Sequence, residues 1–428
     1  MWRILAIIFT GIIFSFYYFP FEFSFLPGIN TKMGLAVVGI LIAAFNLIRK
    51  REIHFPQNLV TVVVGAVLVS LVGVVSVIYN NTPDYAYATY FVSMMVWLSG
   101  AYAICSLIKC LHGDITVERI TVYMACICVA QCVSALIIDS NVAIKHIVDR
   151  FILQDQEFLT KVERLYGIGA SLDTAGVRFS ICLLLLTYVI NKYKGRMSNG
   201  LILISVTAFG VIALVGNMIA RTTIVGVLLS IIYAMMVFRP QRLSYGLFNM
   251  MRVVFLVMLV AIPLCVYLYN NNTQFHELSR FAFEGFFSLA ETGEWEVDSS
   301  EKLKTMIVFP DNPKSWIIGD GYFDNPYYTD PFYVGFQPGG YYMGTDIGYC
   351  RFIFYFGLVG LFTFAIFLIS VARECIILLP EYKMLIVFIL LLGFVIWLKV
   401  STDIFLVLAL LLCIGNIQDK TLQQEGEV

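Results

Sequence analysis

The sequence predicts an all-α polytopic membrane protein of about twelve transmembrane helices, with one large, partly helical outer loop between spans nine and ten. Three observations predict it. Of the 428 residues, 60% are hydrophobic and only 13% charged, with a mean hydropathy of +0.84, whereas a soluble domain is nearer one quarter charged. The apolar residues fall in runs close to the ~20 residues that cross a bilayer as a helix. Asn270 to Tyr349 stands apart as a long stretch that is polar and aromatic.

In chain order the expected spans are 4–20, 34–48, 58–79, 88–108, 120–138, 176–191, 200–215, 219–237, 252–269, 351–371, 384–398 and 401–416. The start, Met1-Trp2-Arg3 and then an apolar run, resembles a signal peptide. It lacks a small-residue cleavage site before the next span, so it reads as a first helix that stays. The basic groups Arg49-Lys50-Arg51, Lys192/Lys194/Arg196, Arg239/Arg242/Arg252 and Arg373/Lys383 share one face under this count. The positive-inside rule makes that face cytoplasmic, and both termini then lie inside. Three regions follow. Residues 1–269 carry helices one to nine with an outer loop at about 139–175, residues 270–349 form the large outer loop, and residues 350–428 carry helices ten to twelve and a cytoplasmic tail. Spans eleven and twelve are separated by one short polar break, Lys399-Val400-Ser401-Thr402-Asp403.

The loops have local order. Val142 to Ile152 shows helical apolar spacing suited to the membrane interface. In the large loop a helix is expected from His276 to Phe287. A second is expected from Ser299 to Phe309, with Ser299 or Ser300 as cap and Glu301 in the first turn. After Pro310 the loop is turn-rich. Gly216-Asn217 reads as a tight outer turn before span eight. There is no internal repeat and no inverted pair of broken spans of the transporter kind.

Several classes are disfavoured. A net charge of −1 offers no basic excess for a nucleic acid. Most of the ten cysteines sit in apolar runs and read as small packing residues. Metal-type Cys or His pairs are missing. Asp320, Asp324 and Asp330 are four and six residues apart, which is neither an Asp-x-Asp pattern nor an EF-hand. Neither metal nor cofactor is expected. The sequons at Asn80-Asn81-Thr82 and Asn271-Asn272-Thr273 carry no weight.

Four outer-face arginines bear on chemistry: Arg178, Arg221, Arg280 and Arg351. One such residue alone can snorkel to headgroups. Several around one vestibule favour an anion, and the planar guanidinium fork suits phosphate oxygens. Asp346, in Gly344-Thr345-Asp346-Ile347-Gly348, is the leading carboxylate for a catalytic role, with an N-cap as the structural alternative. Arg351, five residues on, can pair with it. His276 is the alternative proton acceptor. The aromatic run from Gly321 to Tyr333, continued at Tyr341-Tyr342, suits stacking on sugar rings. It equally suits an interfacial belt or a small loop core.

The chain resembles the O-antigen polymerase and O-antigen ligase family of bacterial envelope glycosyltransferases. Beyond its architecture, three local stretches carry the likeness: Asn217-Met218-Ile219-Ala220-Arg221-Thr222-Thr223, Pro313-Lys314-Ser315-Trp316-Ile317-Ile318-Gly319-Asp320-Gly321-Tyr322, and Thr345-Asp346-Ile347-Gly348-Tyr349 leading to Tyr355-Phe356-Gly357-Leu358-Val359-Gly360. Arg178, in Gly176-Val177-Arg178-Phe179, matches an arginine that the family places at the foot of a span. Ligases typically carry His-Asn where this chain has Thr345-Asp346, which favours a polymerase. The resemblance implies a multi-pass protein of the bacterial inner membrane with its site facing the periplasm. It further implies a polyprenyl-diphosphate-linked oligosaccharide donor, a sugar acceptor, surrounding membrane lipids, metal-free transfer and room for a chain-length regulator. On this reading Arg178, Arg221 and Arg280 bind diphosphate, Asp346 handles the acceptor hydroxyl and Arg351 supports Asp346. Direct displacement would invert the anomeric carbon. The rival readings are a ligase delivering finished glycan to a lipid or protein, and a transporter or flippase of lipid-linked sugars.

Overall fold

The computed structural model describes residues 2–50, 56–154, 159, 164–193, 197–237, 245–335 and 340–426. The chain is an all-α polytopic membrane protein, 78% helical. Among the described residues eight helices are long and apolar enough to cross a membrane, and each coincides with an expected span. They include α2 (Thr31–Lys50), α3 (Gln57–Asn80), α4 (Tyr90–His112), α5 (Val117–Ser140), α7 (Leu172–Tyr193), α8 (Asn199–Ile219), α10 (Tyr245–Asn271) and α16 (Gly348–Leu378). The other four expected spans fall on α1 (Trp2–Tyr18), α9 (Thr223–Val237), α17 (Lys383–Ile396) and α18 (Phe405–Gly426), whose apolar stretches are shorter; that of α18 is Phe405–Gln418. The connections add α6 (Val142–Phe151), α11 (Thr273–Ala282), α12 (Glu284–Thr292), α13 (Asp298–Thr305), α14 (Pro313–Ile317) and α15 (Pro326–Thr329).

Two compact units form, and neither is continuous in sequence. The first is Met1–Gly34 with Leu107–Glu296, and the second is Leu35–Ser106 with Val297–Val428. The large loop is therefore shared: α11 and α12 belong to the first unit, α13 to α15 to the second.

In the first unit α7 is central, packed on α5, α8 and α9. The bulk of its apolar window is buried (72%), against 6% for the peripheral α10. The helix at Val142–Phe151 is capped by Asn141, whose Oδ1 accepts from the N–H of Ala143 at 3.0 Å. Val148 and the two-residue antiparallel pair Glu22–Phe23 with Ile152–Leu153 bring Phe21, Ile138, Ile152 and Tyr166 into one apolar cluster. Two expectations are corrected here. The helix α8 runs through Gly216-Asn217 to Ile219, because Asn217 is buried and donates to the Ala282 carbonyl at 2.7 Å; the turn is Ala220–Thr222. The single loop helix at 276–287 is two helices, broken at Phe283.

The second unit is organised by α16, against which α3, α14, α17 and α18 pack. The expected continuous span at 351–371 is interrupted. Phe356 (φ −137°, ψ 19°) and Gly357 (φ 68°, ψ −172°) leave the helix. Non-helical backbone at membrane depth requires its freed polar groups to be met by protein. Here the Phe354 carbonyl accepts the Asp320 N–H at 2.6 Å. The Tyr355 carbonyl accepts from Gly321 N–H at 3.1 Å and from Ser76 Oγ at 2.6 Å. Only glycine suits the break. A Cβ on Gly357 would lie 2.1 Å from the Ile317 carbonyl oxygen, and one on Gly319 (φ 83°) would lie 2.4 Å from that of Tyr355. The helix expected from Ser299 begins at Asp298, with Val297 at the cap position, so Ser299 and Ser300 lie inside its first turn.

Candidate functional site

Chemistry-bearing side chains gather in each unit. In the first, Arg178 lies six residues inside α7, about 9 Å along its axis at 1.5 Å per residue. The opposite edge of that helix is engaged by the α8–α9 turn: Ser180 Oγ donates to the Thr222 carbonyl at 3.2 Å, and Asp173 accepts from Thr222 Oγ1. Asp173 and Ser180 are two turns apart and share a face. Arg178 is about 200° of helix from Ser180 at ~100° per residue, so it faces away from that turn and towards α1. Its guanidinium carbon stands 5.6 Å from the Phe19 ring, and the Tyr18 hydroxyl donates to its carbonyl at 2.7 Å. Arg178 is only 9% exposed, and among the described residues no carboxylate pairs with it. A buried intramembrane cation ordinarily has a counter-charge or a task.

Arg221 and Arg280 are placed differently, at the corner made by α11 and α12. Arg221 pairs with Glu284 at 2.6 Å and stacks on Phe281 at 4.0 Å. A further guanidinium, Arg164, lies 5.1 Å from the same ring. The corner thus brings Arg221 and Arg164 onto one shared aromatic face, with Glu284 beside Arg221. Arg164 escaped the sequence reading because it sits in a polar connection, with no helix end or motif to mark it. Arg280 forms a two-pronged pair with Glu291, both contacts at 2.8 Å, on the exposed side of α11. That pairing holds its guanidinium well above the usual arginine range. The three expected diphosphate ligands therefore lie on two faces of the first unit rather than as one ring. His276, the alternative base, stacks on Tyr269 at 4.1 Å, and its Nδ1 lies 3.2 Å from the Tyr269 carbonyl.

In the second unit Arg351 is 4% exposed and lies between the rings of Phe323 (3.7 Å) and Tyr341 (3.4 Å). It donates to Ser401 Oγ at 2.7 Å and to the Phe323 carbonyl at 3.0 Å, and it pairs with Asp324 at 3.3 Å. Asp346 is half-buried and acts on Arg351 as a further negative charge. The expected support of Asp346 by Arg351 is thus electrostatic and is shared with Asp324, a residue 27 positions upstream of Arg351 that the loop folds back. The N-cap position of α16 is Ile347, with no side-chain cap, so the capping role considered for Asp346 is not used.

Around this pair the Gly319-Asp320-Gly321 turn is held from α3. Asn80 Nδ2 donates to the Gly319 carbonyl at 3.2 Å, and Thr82 Oγ1 to that of Gly321 at 2.8 Å. Lys314 Nζ bridges Asn80 Oδ1 and Asp320 Oδ1, both at 2.7 Å. Asp84, buried, accepts the N–H groups of Phe323 (2.7 Å) and Asp324 (2.9 Å). Asn80, Thr82 and Asp84 were invisible as site residues. Their partners lie some 240 residues away, and only the fold brings them together. Burial, reinforced by Asp330 and Asp320 respectively, pushes the Tyr322 and Tyr342 phenols above their ordinary range, so both stay protonated donors.

No known family model, characterised protein or solved structure matches the chain.

Proposed function

We propose that the chain is a polysaccharide polymerase of the O-antigen type in the bacterial inner membrane. It joins polyprenyl-diphosphate-linked oligosaccharide repeats on the periplasmic face by metal-independent, inverting glycosyl transfer. The observation that carries the reading is Arg178, a cation buried within a membrane helix with an aromatic neighbour and, among the described residues, no carboxylate partner. A lipid-linked diphosphate is an anion that reaches that depth by way of its own lipid.

In this reading Arg178 meets the diphosphate, with Arg221 and Arg164 adding positive potential in the same unit and the exposed Arg280 a weaker part. Fixed cations in a water-poor site stabilise the charge that develops on a departing diphosphate. The acceptor hydroxyl attacks the anomeric carbon, its proton passing to Asp346. The bond from that carbon to the phosphate oxygen breaks, and polyprenyl diphosphate leaves with the electron pair. A single displacement of this kind inverts the anomeric centre. Within the second unit, the interlock of Gly319-Asp320-Gly321 with the break at Phe356-Gly357 anchors the late half of the loop to a span.

Orientation is the first test. With cysteine at Ser299 in a cysteine-free background, a membrane-impermeant thiol reagent is expected to label α13 from the periplasmic side of intact cells. Labelling that requires a permeabilised inner membrane would overturn the orientation, and the proposed chemistry with it.

A further inference from the structure

We infer that the loop segment from Asn325 to Val334 is a platform for sugar rings of the acceptor glycan, an inference that rests on the glycosyl-transfer reading. The aromatic run divides into two sets. Tyr322, Phe323 and Tyr342 turn inwards: Tyr322 packs on Tyr342 at 5.3 Å and on Tyr333 at 5.4 Å, and Phe323 packs on Tyr87 at 5.1 Å. The second set faces out. Tyr327 is 56% exposed, Tyr328 81%, Phe332 88% and Val334 98%.

The backbone under these exposed rings is held in place. Asn325 Oδ1 accepts from the Tyr327 N–H at 3.1 Å. Asp330 is buried; its Oδ1 accepts from the Phe332 N–H at 2.9 Å and its Oδ2 from the Tyr322 hydroxyl at 2.5 Å. Pro326 and Pro331 restrict φ on either side. Large apolar side chains on a held backbone, exposed among the described residues, are preorganised for a ligand, since little order must be gained on binding.

Charge selects the ligand. From Gly321 to Cys350 the sequence contains no lysine, arginine or histidine, and it carries Asp324, Asp330 and Asp346. An anionic bilayer surface recruits basic residues, and a phosphate is best held by cationic donors, which this stretch lacks. A neutral, hydroxyl-rich ring needs what is present: aromatic faces for its C–H surface, tyrosine hydroxyls, and carboxylates as acceptors.

The test compares wild type with the Tyr328→Ala/Phe332→Ala double variant, both in nanodiscs. Three probes are used: a printed array of neutral oligosaccharides, phosphatidylglycerol vesicles, and a polymerisation assay. Wild type is expected to bind at least one neutral oligosaccharide. The double variant should lose at least about tenfold in affinity for it, with an unchanged unfolding temperature because the deleted rings are solvent-facing, and Tyr328→Trp should retain binding. The inference is overturned if wild type binds no glycan, if the double variant binds equally well, or if vesicle attachment alone is lost. Polymer formation with platform-insensitive glycan binding would overturn the platform and leave the enzymatic reading standing. Platform-dependent binding without any transfer by wild type would do the reverse.

Discussion

Alanine at Arg178 is expected to abolish polymer while leaving the amount of protein in the membrane unchanged or higher. Burial of an ion costs several kcal/mol even after relaxation, and a carboxylate partner normally offsets it. Arg178 has no such partner among the described residues, and its stacking on Phe19 is worth only about 0.5–2 kcal/mol. The desolvation cost is the larger, so Arg178→Ala should relieve the folded state. Activity should move the other way, falling by about 10²–10³-fold, the scale of losing one preorganised electrostatic stabiliser. Lysine should rescue poorly, because a point charge cannot reproduce a two-pronged phosphate contact. Arg280→Ala should be milder, its guanidinium being half-exposed and already paired with Glu291. The readouts are the glycan ladder on a gel and membrane protein by immunoblot. A Arg178→Ala protein that disappears from the membrane, or one that still makes a normal ladder, would remove the case for a diphosphate contact.

Asp346→Asn should lower transfer by about 10²-fold or more, the usual contribution of acid–base assistance. The amide keeps the shape of the side chain but has no basic oxygen. The α16 start does not depend on a side-chain cap from this residue, so protein level should hold. Donor binding should survive, and single-repeat lipid-linked substrate should accumulate in place of polymer. Asp346→Glu should retain part of the activity. A near-normal ladder from Asp346→Asn would exclude it as the base. Attention would then pass to Asp324, the exposed carboxylate that shares Arg351, and to His276.

Hydropathy made the membrane architecture legible because span length and composition are local properties. The break at Phe356-Gly357 was not, since the apolar run continues across it without a charge or proline. Its cause lies in the Gly319–Gly321 turn and in Ser76, which donate to carbonyls far along the chain. Arg351 shows the same limit. Spacing pointed to Asp346, five residues away, whereas the ion pair is to Asp324, and the flanking rings come from Phe323 and Tyr341. The arginines were recognisable one by one from their cost at the ends of apolar spans. Arg221 and Arg280 are given counter-charges by Glu284 and Glu291, loop acids that only the fold brings beside them.

The most direct test of the central claim is reconstitution. Purified protein in nanodiscs receives a synthetic polyprenyl-diphosphate-linked repeat unit as the only substrate, with chelator present. A polymerase is expected to give a ladder of joined repeats, release of polyprenyl diphosphate in step with each new bond, and an inverted anomeric configuration at every junction. Intact substrate, movement of it across a bilayer without bond formation, or transfer that occurs only when a lipid or protein acceptor is added would contradict the claim.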